Sequence, residues 1–189
     1  MSASWHIGGV LLLAGCSGAN AGQSDPQPCT PVESAAATVS ADGLAGEYNL
    51  KLVATSGAKR GTTAAGPLTL MPHDSAYRSL ESAGGSSDTT FTLPLYGTTE
   101  LDFASVGAVA PGDPVSSDPA SPGVLVMEGA GRVMLRMGSE ANRRGVRRFD
   151  GGYTALQVQQ VTDTGFAGTW RSGVGLEESG GHFCADRAT

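Results

Sequence analysis

The chain has 189 residues and a formal net charge of −6, a length that suits one domain with extensions. The acidic balance excludes nonspecific binding to a nucleic-acid backbone. No apolar stretch reaches the roughly 20 residues that a membrane-spanning helix needs.

At the N-terminus, Met1 to His6 carries no Lys or Arg, and Ile7 to Leu13 is a short apolar run that suits the core of an export signal. The run ends in Leu13-Ala14-Gly15-Cys16. This tetrad resembles the lipobox of bacterial lipoproteins: branched aliphatic, two small residues, then cysteine. The resemblance covers residues 1–17 and implies that residues 1–15 are removed. It also implies that Cys16 is lipidated and becomes the new N-terminus. Each buried methylene of such an anchor contributes about 0.8 kcal/mol, so several acyl chains attach a protein stably to a membrane. Ser17 after the cysteine is compatible, in the enterobacterial pattern, with transfer to the outer membrane. Ala19-Asn20-Ala21 offers an alternative cleavage site for a simply secreted protein. Either reading exports the chain to a bacterial envelope or beyond.

With Cys16 acylated, Cys29 and Cys184 remain. An even pair in an oxidising compartment points to a disulfide. The bridge would join the beginning of the domain to its end, and closing so long a loop is worth about 5 kcal/mol in the chain-entropy view. Residues 16–43 are rich in Gly, Ser, Ala, Pro and Asp, a composition that reads as a disordered tether. Residues 44–189 form the domain.

From Leu44 onward the hydrophobic period is two. Tyr48, Leu50, Leu52 and Ala54 share one face, with Asn49 and Lys51 on the other, the pattern of a half-buried strand. Gly61 to Leu70 reads as a second strand, with a bulge or late start at Pro67. His73 to Ser82 is one helical turn or a loop, and Gly84 to Asp88 is a flexible turn. Thr90 to Tyr96 and Glu100 to Val109 read as a hairpin turning at Gly97-Thr98. Residues 110–122 hold four prolines and form a surface loop. Gly123 to Glu128 and Arg132 to Met137 flank a turn at Gly129-Ala130-Gly131. A polar loop over residues 138–150 follows. Tyr153 to Val161 and Phe166 to Arg171 turn through Thr162-Asp163-Thr164-Gly165, and Gly180 to Arg187 is the last strand.

Nine short strand candidates with turns between them predict an all-β, antiparallel meander. Closure removes open edges. The expectation is therefore an up-and-down barrel of about eight strands, wide enough for a filled core or one small ligand; a two-sheet β-sandwich is the alternative. Gly46-Glu47-Tyr48 and Gly168-Thr169-Trp170 resemble the glycine-x-aromatic strands of lipocalin-like and avidin-like barrels, and that resemblance supports barrel geometry.

Signatures of catalysis are missing from the sequence: no Gly-x-Ser-x-Gly, His-Glu-x-x-His, P-loop or EF-hand spacing occurs. His73-Asp74 lacks a convincing nucleophile, and His182 beside Cys184 reads as a strand-surface residue. Neither offers metal-ligand spacing. The expectation is a non-enzyme without metal or cofactor. Tyr48, Phe91, Phe103, Tyr153, Phe166 and Trp170 are the candidate lining of a cavity for a small or lipidic ligand, with core filling as the alternative. Arg143, Arg144, Arg147 and Arg148 form the sharpest charge cluster. They are the candidate contact to an anionic envelope partner, partly neutralised by Glu140 and Asp150. Two functions follow: a lipid-anchored carrier of a small hydrophobic ligand, or an envelope interaction module with a filled barrel.

Overall fold

Alternation of apolar and polar side chains sets one face of every strand toward a common axis. In a computed structural model, which describes residues 28–72, 91–110, 123–138, 152–174 and 177–189, these faces close into an eight-stranded antiparallel barrel in simple chain order. The strands are β1 (Gly46–Ser56), β2 (Thr63–Pro72), β3 (Thr92–Thr99), β4 (Val124–Gly129), β5 (Arg132–Gly138), β6 (Gly152–Thr162), β7 (Gly165–Val174) and β8 (Glu177–Arg187). The ladder between β1 and β8, from Tyr48 opposite Arg187 to Ser56 opposite Gly180, completes the cylinder. The expected meander and its closure are thus both present. The helical turn considered for residues 73–82, the turn at 84–88, most of the proline-rich loop and the N-terminal 27 residues lie outside the described residues.

Inward positions follow the period of two. Leu50, Leu52, Leu68, Leu135, Met137, Leu156 and Phe183 are fully buried. Eight strands enclose just enough width for side chains to meet at the axis, and these residues fill it. Tyr48 meets Phe166 edge-on at 5.0 Å between ring centroids, and Phe166 meets Phe183 at 6.0 Å. Trp170 lies opposite Gly181 and donates its indole N–H to Val53 O at 3.1 Å, so its polar atom is satisfied within the core.

Both mouths of the barrel are stoppered by chain outside the strands. At the entry end, where β1 begins, Ala36 and Val39 donate backbone N–H groups to Gln159 O and Gly131 O. Val39, Ala41 and Leu44 are buried in the core, and Tyr48 donates its hydroxyl to Leu44 O at 3.0 Å. The packed domain therefore begins earlier than composition alone suggests: three apolar side chains among polar ones suffice to anchor the arm, because the mouth offers them an apolar seat.

At the far end the structure corrects the sequence reading. Glu100 to Val109 is not a strand, and Gly97-Thr98 is not a turn. The β3 strand runs on to Thr99 and a 3₁₀ helix spans Phe103–Val106. Gly97 sits inside β3 because a Cβ there would collide with Thr69 O of β2, a close approach that only glycine permits. Asp102 caps the 3₁₀ helix by accepting from Ser105 N, and Gly107 ends it at φ 70°. Phe103 and Val106, three residues apart, share one face at this tighter pitch and are buried. Beyond it, Val109 bridges two inward hydroxyls in register across β6 and β7: its N–H donates to Ser172 Oγ at 2.9 Å and its carbonyl accepts from Thr154 Oγ1 at 2.7 Å. Ser172 in turn donates to Tyr153 O. The polar pair closes the far mouth by holding the plug's backbone.

Two measurements check this architecture. Ser172→Ala leaves Val109 N–H without its acceptor and should lower stability by about 1–3 kcal/mol, with faster amide exchange confined to residues 103–110. In the β4–β5 hairpin, Ala130 (φ 51°) and Gly131 (φ 69°) both adopt the left-handed conformation that a two-residue turn demands. Ala130→Gly should therefore raise the denaturation midpoint by the equivalent of roughly 1 kcal/mol; an unchanged or lower midpoint would contradict the strain assigned to Ala130.

Candidate functional site

The six candidate cavity residues do not assemble into a cavity lining. Tyr48, Phe103, Phe166 and Trp170 are core side chains, each at most 3 % exposed. Tyr153 has the wrong parity: its strand neighbours Thr154 and Leu156 point inward, and it stands on the outer surface. Phe91 forms an isolated bridge just before β3, half-buried and outside the core cluster. The interior is occupied by the protein's own side chains, and the arm and the 3₁₀ helix occupy its two mouths.

Cys29 and Cys184 form the expected disulfide, with their Cα atoms 5.6 Å apart across a separation of 155 residues. Cys184 faces outward from β8, so the bridge fastens the N-terminal arm to the outside of the barrel, while closure of the sheet itself is the work of the β1–β8 ladder. Beneath the arm, His182 is nearly buried, and its Nε2 lies 3.1 Å from Cys29 O, so that nitrogen carries the proton. Between the arm (Pro28 to Ser34) and the outer faces of β6 to β8 runs a cleft of about 780 Å³, with Gln160, Ala167 and Asp186 on its barrel side.

The Thr154 hydroxyl donates to the far-end plug, the Ser172 hydroxyl accepts from the plug and donates to Tyr153 O, and the imidazole of His182 is committed to the arm, so each is structural. Among the described residues no group of three or more His, Cys, Asp or Glu side chains stands close enough to hold a metal ion.

Sequence reading missed a cluster on the outer surface. Arg136 of β5 and Arg171 of β7 flank β6 in register with Ala155. Their guanidinium carbons lie 5.9 and 6.0 Å from the ring centre of Tyr153, within cation–π range. The signal was present: once Ala155 and Gln157 are recognised as outward, period two places Tyr153 with them. Arg143, Arg144, Arg147 and Arg148 lie outside the described residues. The β5 strand that precedes them in sequence ends at Gly138, which pairs with Tyr153.

The fold defines a class, the small, closed up-and-down β-barrel with a filled core. No known protein family, curated protein or solved structure matches the chain.

Burial pushes the Tyr48 hydroxyl above its ordinary value of 10.0, against a smaller opposing pull from the nearby Arg187 guanidinium. A group whose folded pKa is raised stabilises fully below its unfolded value and loses that contribution as pH rises through the folded one. Stability should accordingly fall above about pH 10. Tyr48→Phe should flatten that fall while lowering stability at neutral pH by about 1 kcal/mol, as read by denaturant titration across pH. Reducing the disulfide should cost about 2–5 kcal/mol yet leave the far-ultraviolet circular dichroism of the barrel intact, with new proteolytic cleavage confined to residues 28–35. Collapse of the sheet on reduction would show that the bridge, and not the β1–β8 ladder, keeps the barrel closed.

Proposed function

We propose that the chain is an exported, lipid-anchored protein of the bacterial envelope whose barrel is a non-enzymatic interaction module, presenting its outer surface and loops to an anionic partner. The observation that supports this most is the filled interior with both mouths stoppered: a barrel so packed offers its outside for recognition. The anchor is the acylated Cys16 of the lipobox-like Leu13-Ala14-Gly15-Cys16, and the Cys29–Cys184 bridge accords with an oxidising compartment on the periplasmic or outer side. The contact is the loop bearing Arg143, Arg144, Arg147 and Arg148, whose guanidinium groups pair with carboxylates or phosphates in fork geometry. The outer membrane is the favoured location.

For the anchor, mass analysis should find a diacylglyceryl-modified, N-acylated Cys16 as the first residue, and Cys16→Ala should move the protein from the detergent phase to the aqueous one. An unmodified chain starting after Ala21 would identify a secreted protein instead. For the contact, replacing the four loop arginines by Ala should abolish retention on a dextran-sulfate resin at low salt while the circular dichroism stays unchanged. Equal retention of that variant would reject the loop as the contact.

A further inference from the structure

The N-terminal arm is tied to the outside of the barrel at two points. At one, Cys29 is bonded to Cys184 of β8, and its carbonyl lies 3.1 Å from His182 Nε2. At the other, Ala36 donates its N–H to Gln159 O of β6 at 2.8 Å. The chain between these ties is a strap that crosses β7. Neighbouring strands are about 4.8 Å apart, so the ties are separated by about 10 Å across the sheet. A chain running from residue 29 to residue 36 spans roughly 23 Å when extended. The slack is taken up in a bow that bends at Glu33 and Ser34, and the cleft of about 780 Å³ lies between strap and sheet.

The sheet beneath the strap forms a trough. Register sets Gly165 of β7 between Thr162 and Asp186, and Ala167 between Gln160 and Cys184. The middle strand thus contributes the smallest side chains and its two neighbours the larger ones. All six residues line the cleft, whose volume is in the range of sites that enclose a ligand.

Two features of the lining decide what fits. The first is main chain. Among the described residues, the N–H groups of Val32 to Ala35 and the carbonyls of Pro31 to Ala35 make no hydrogen bond. The strap therefore offers unpaired donors and acceptors of the kind that take up a peptide backbone. The second is charge. Glu33 on the strap and Asp186 on β8 line the cleft, and neither carboxylate has an ion pair or a hydrogen bond. No Lys, Arg or His is among the described lining residues. Arg187, next to Asp186, donates instead to the carbonyls of Ala45 and Gly43. Lys51 stands opposite Cys184 on β1, on the side of β8 away from β7 and the strap.

We propose that this cleft binds a basic peptide segment. The peptide backbone hydrogen-bonds to the strap, and a Lys or Arg side chain reaches Glu33 and Asp186 with its aliphatic stem against Val32 and Ala167. A polyamine would answer the two carboxylates and leave the strap's main chain unpaired, whereas a basic peptide answers both. The site is separate from the contact assigned to the loop arginines, so either reading can fail without the other.

The test measures binding of the full chain in detergent to a short end-capped peptide of alternating valine and lysine, by titration calorimetry. The same peptide methylated on its backbone nitrogens, and spermidine, serve as comparators. The unmethylated peptide should bind most tightly. The E33Q/D186N variant should weaken it by about tenfold at an unchanged denaturation midpoint. Ala167→Phe fills the trough and keeps both carboxylates, and it should abolish binding while the circular dichroism stays unchanged. Undiminished binding to E33Q/D186N, or no binding of the peptide to the unaltered chain, would overturn the site. Equal binding of the methylated peptide, or tighter binding of spermidine, would overturn the peptide as its occupant.

Discussion

The pairing of β1 with β8 is the constraint on which the rest of the molecule depends. Once Leu50 stands opposite Ala185 and Leu52 opposite Phe183, the sheet has no edges, and eight strands fix its bore. A bore of that size has room for one layer of side chains from each wall. Every inward residue must then be apolar and of a size its neighbours leave free, which the run of buried leucines, valines and aromatics satisfies. Polar inward residues survive only where a second partner reaches them. Thr154 and Ser172 lie at the rim, where the backbone of Val109 accepts and donates in turn.

A closed cylinder still has two open mouths, and apolar side chains next to them would be wetted. The chain covers one with its N-terminal arm and the other with the 3₁₀ helix. These covers cost little in conformational freedom. The arm is held by the disulfide and by backbone hydrogen bonds to Gln159 and Gly131, and the helix by Asp102 and Gly107 at its two ends. Filling and covering turn the inside of the barrel into a structural support. Chemical variety is left to the outer face, where Arg136, Tyr153 and Arg171 stand together on β5 to β7 and Cys29, His182 and Cys184 on the arm side of β8.

Much of this was legible along the chain. Tyr48, Leu50, Leu52 and Ala54 announced β1 by alternation, and Thr162 to Gly165 announced the β6–β7 turn, because in both the local pattern and the tertiary environment agree. Glu100 to Val109 misled because Leu101 and Phe103 alternate as in a strand, while the deciding residues, Asp102, Val106 and Gly107, speak for a 3₁₀ turn only when an apolar seat exists for Phe103. Gly97 misled for a related reason: glycine marks a turn or a close backbone approach, and only the neighbouring strand decides between them. Aromatic residues were grouped by type, and type does not tell inside from outside. Tyr153 shows the cost, since its parity relative to Thr154 and Leu156 places it on the surface. The arginine row was invisible because Arg136 and Arg171 are 35 positions apart and meet only across β6.

The disulfide orders the making of the molecule in time. Cys29 is synthesised 155 residues ahead of Cys184, and synthesis runs from the N-terminus. Its thiol therefore waits unpaired through the appearance of seven strands. Only when β8 docks between β7 and β1 does Cys184 arrive under the arm. The bridge thus records completion: a chain truncated anywhere before its last strand lacks Cys184 and keeps at Cys29 a thiol open to mixed-disulfide exchange.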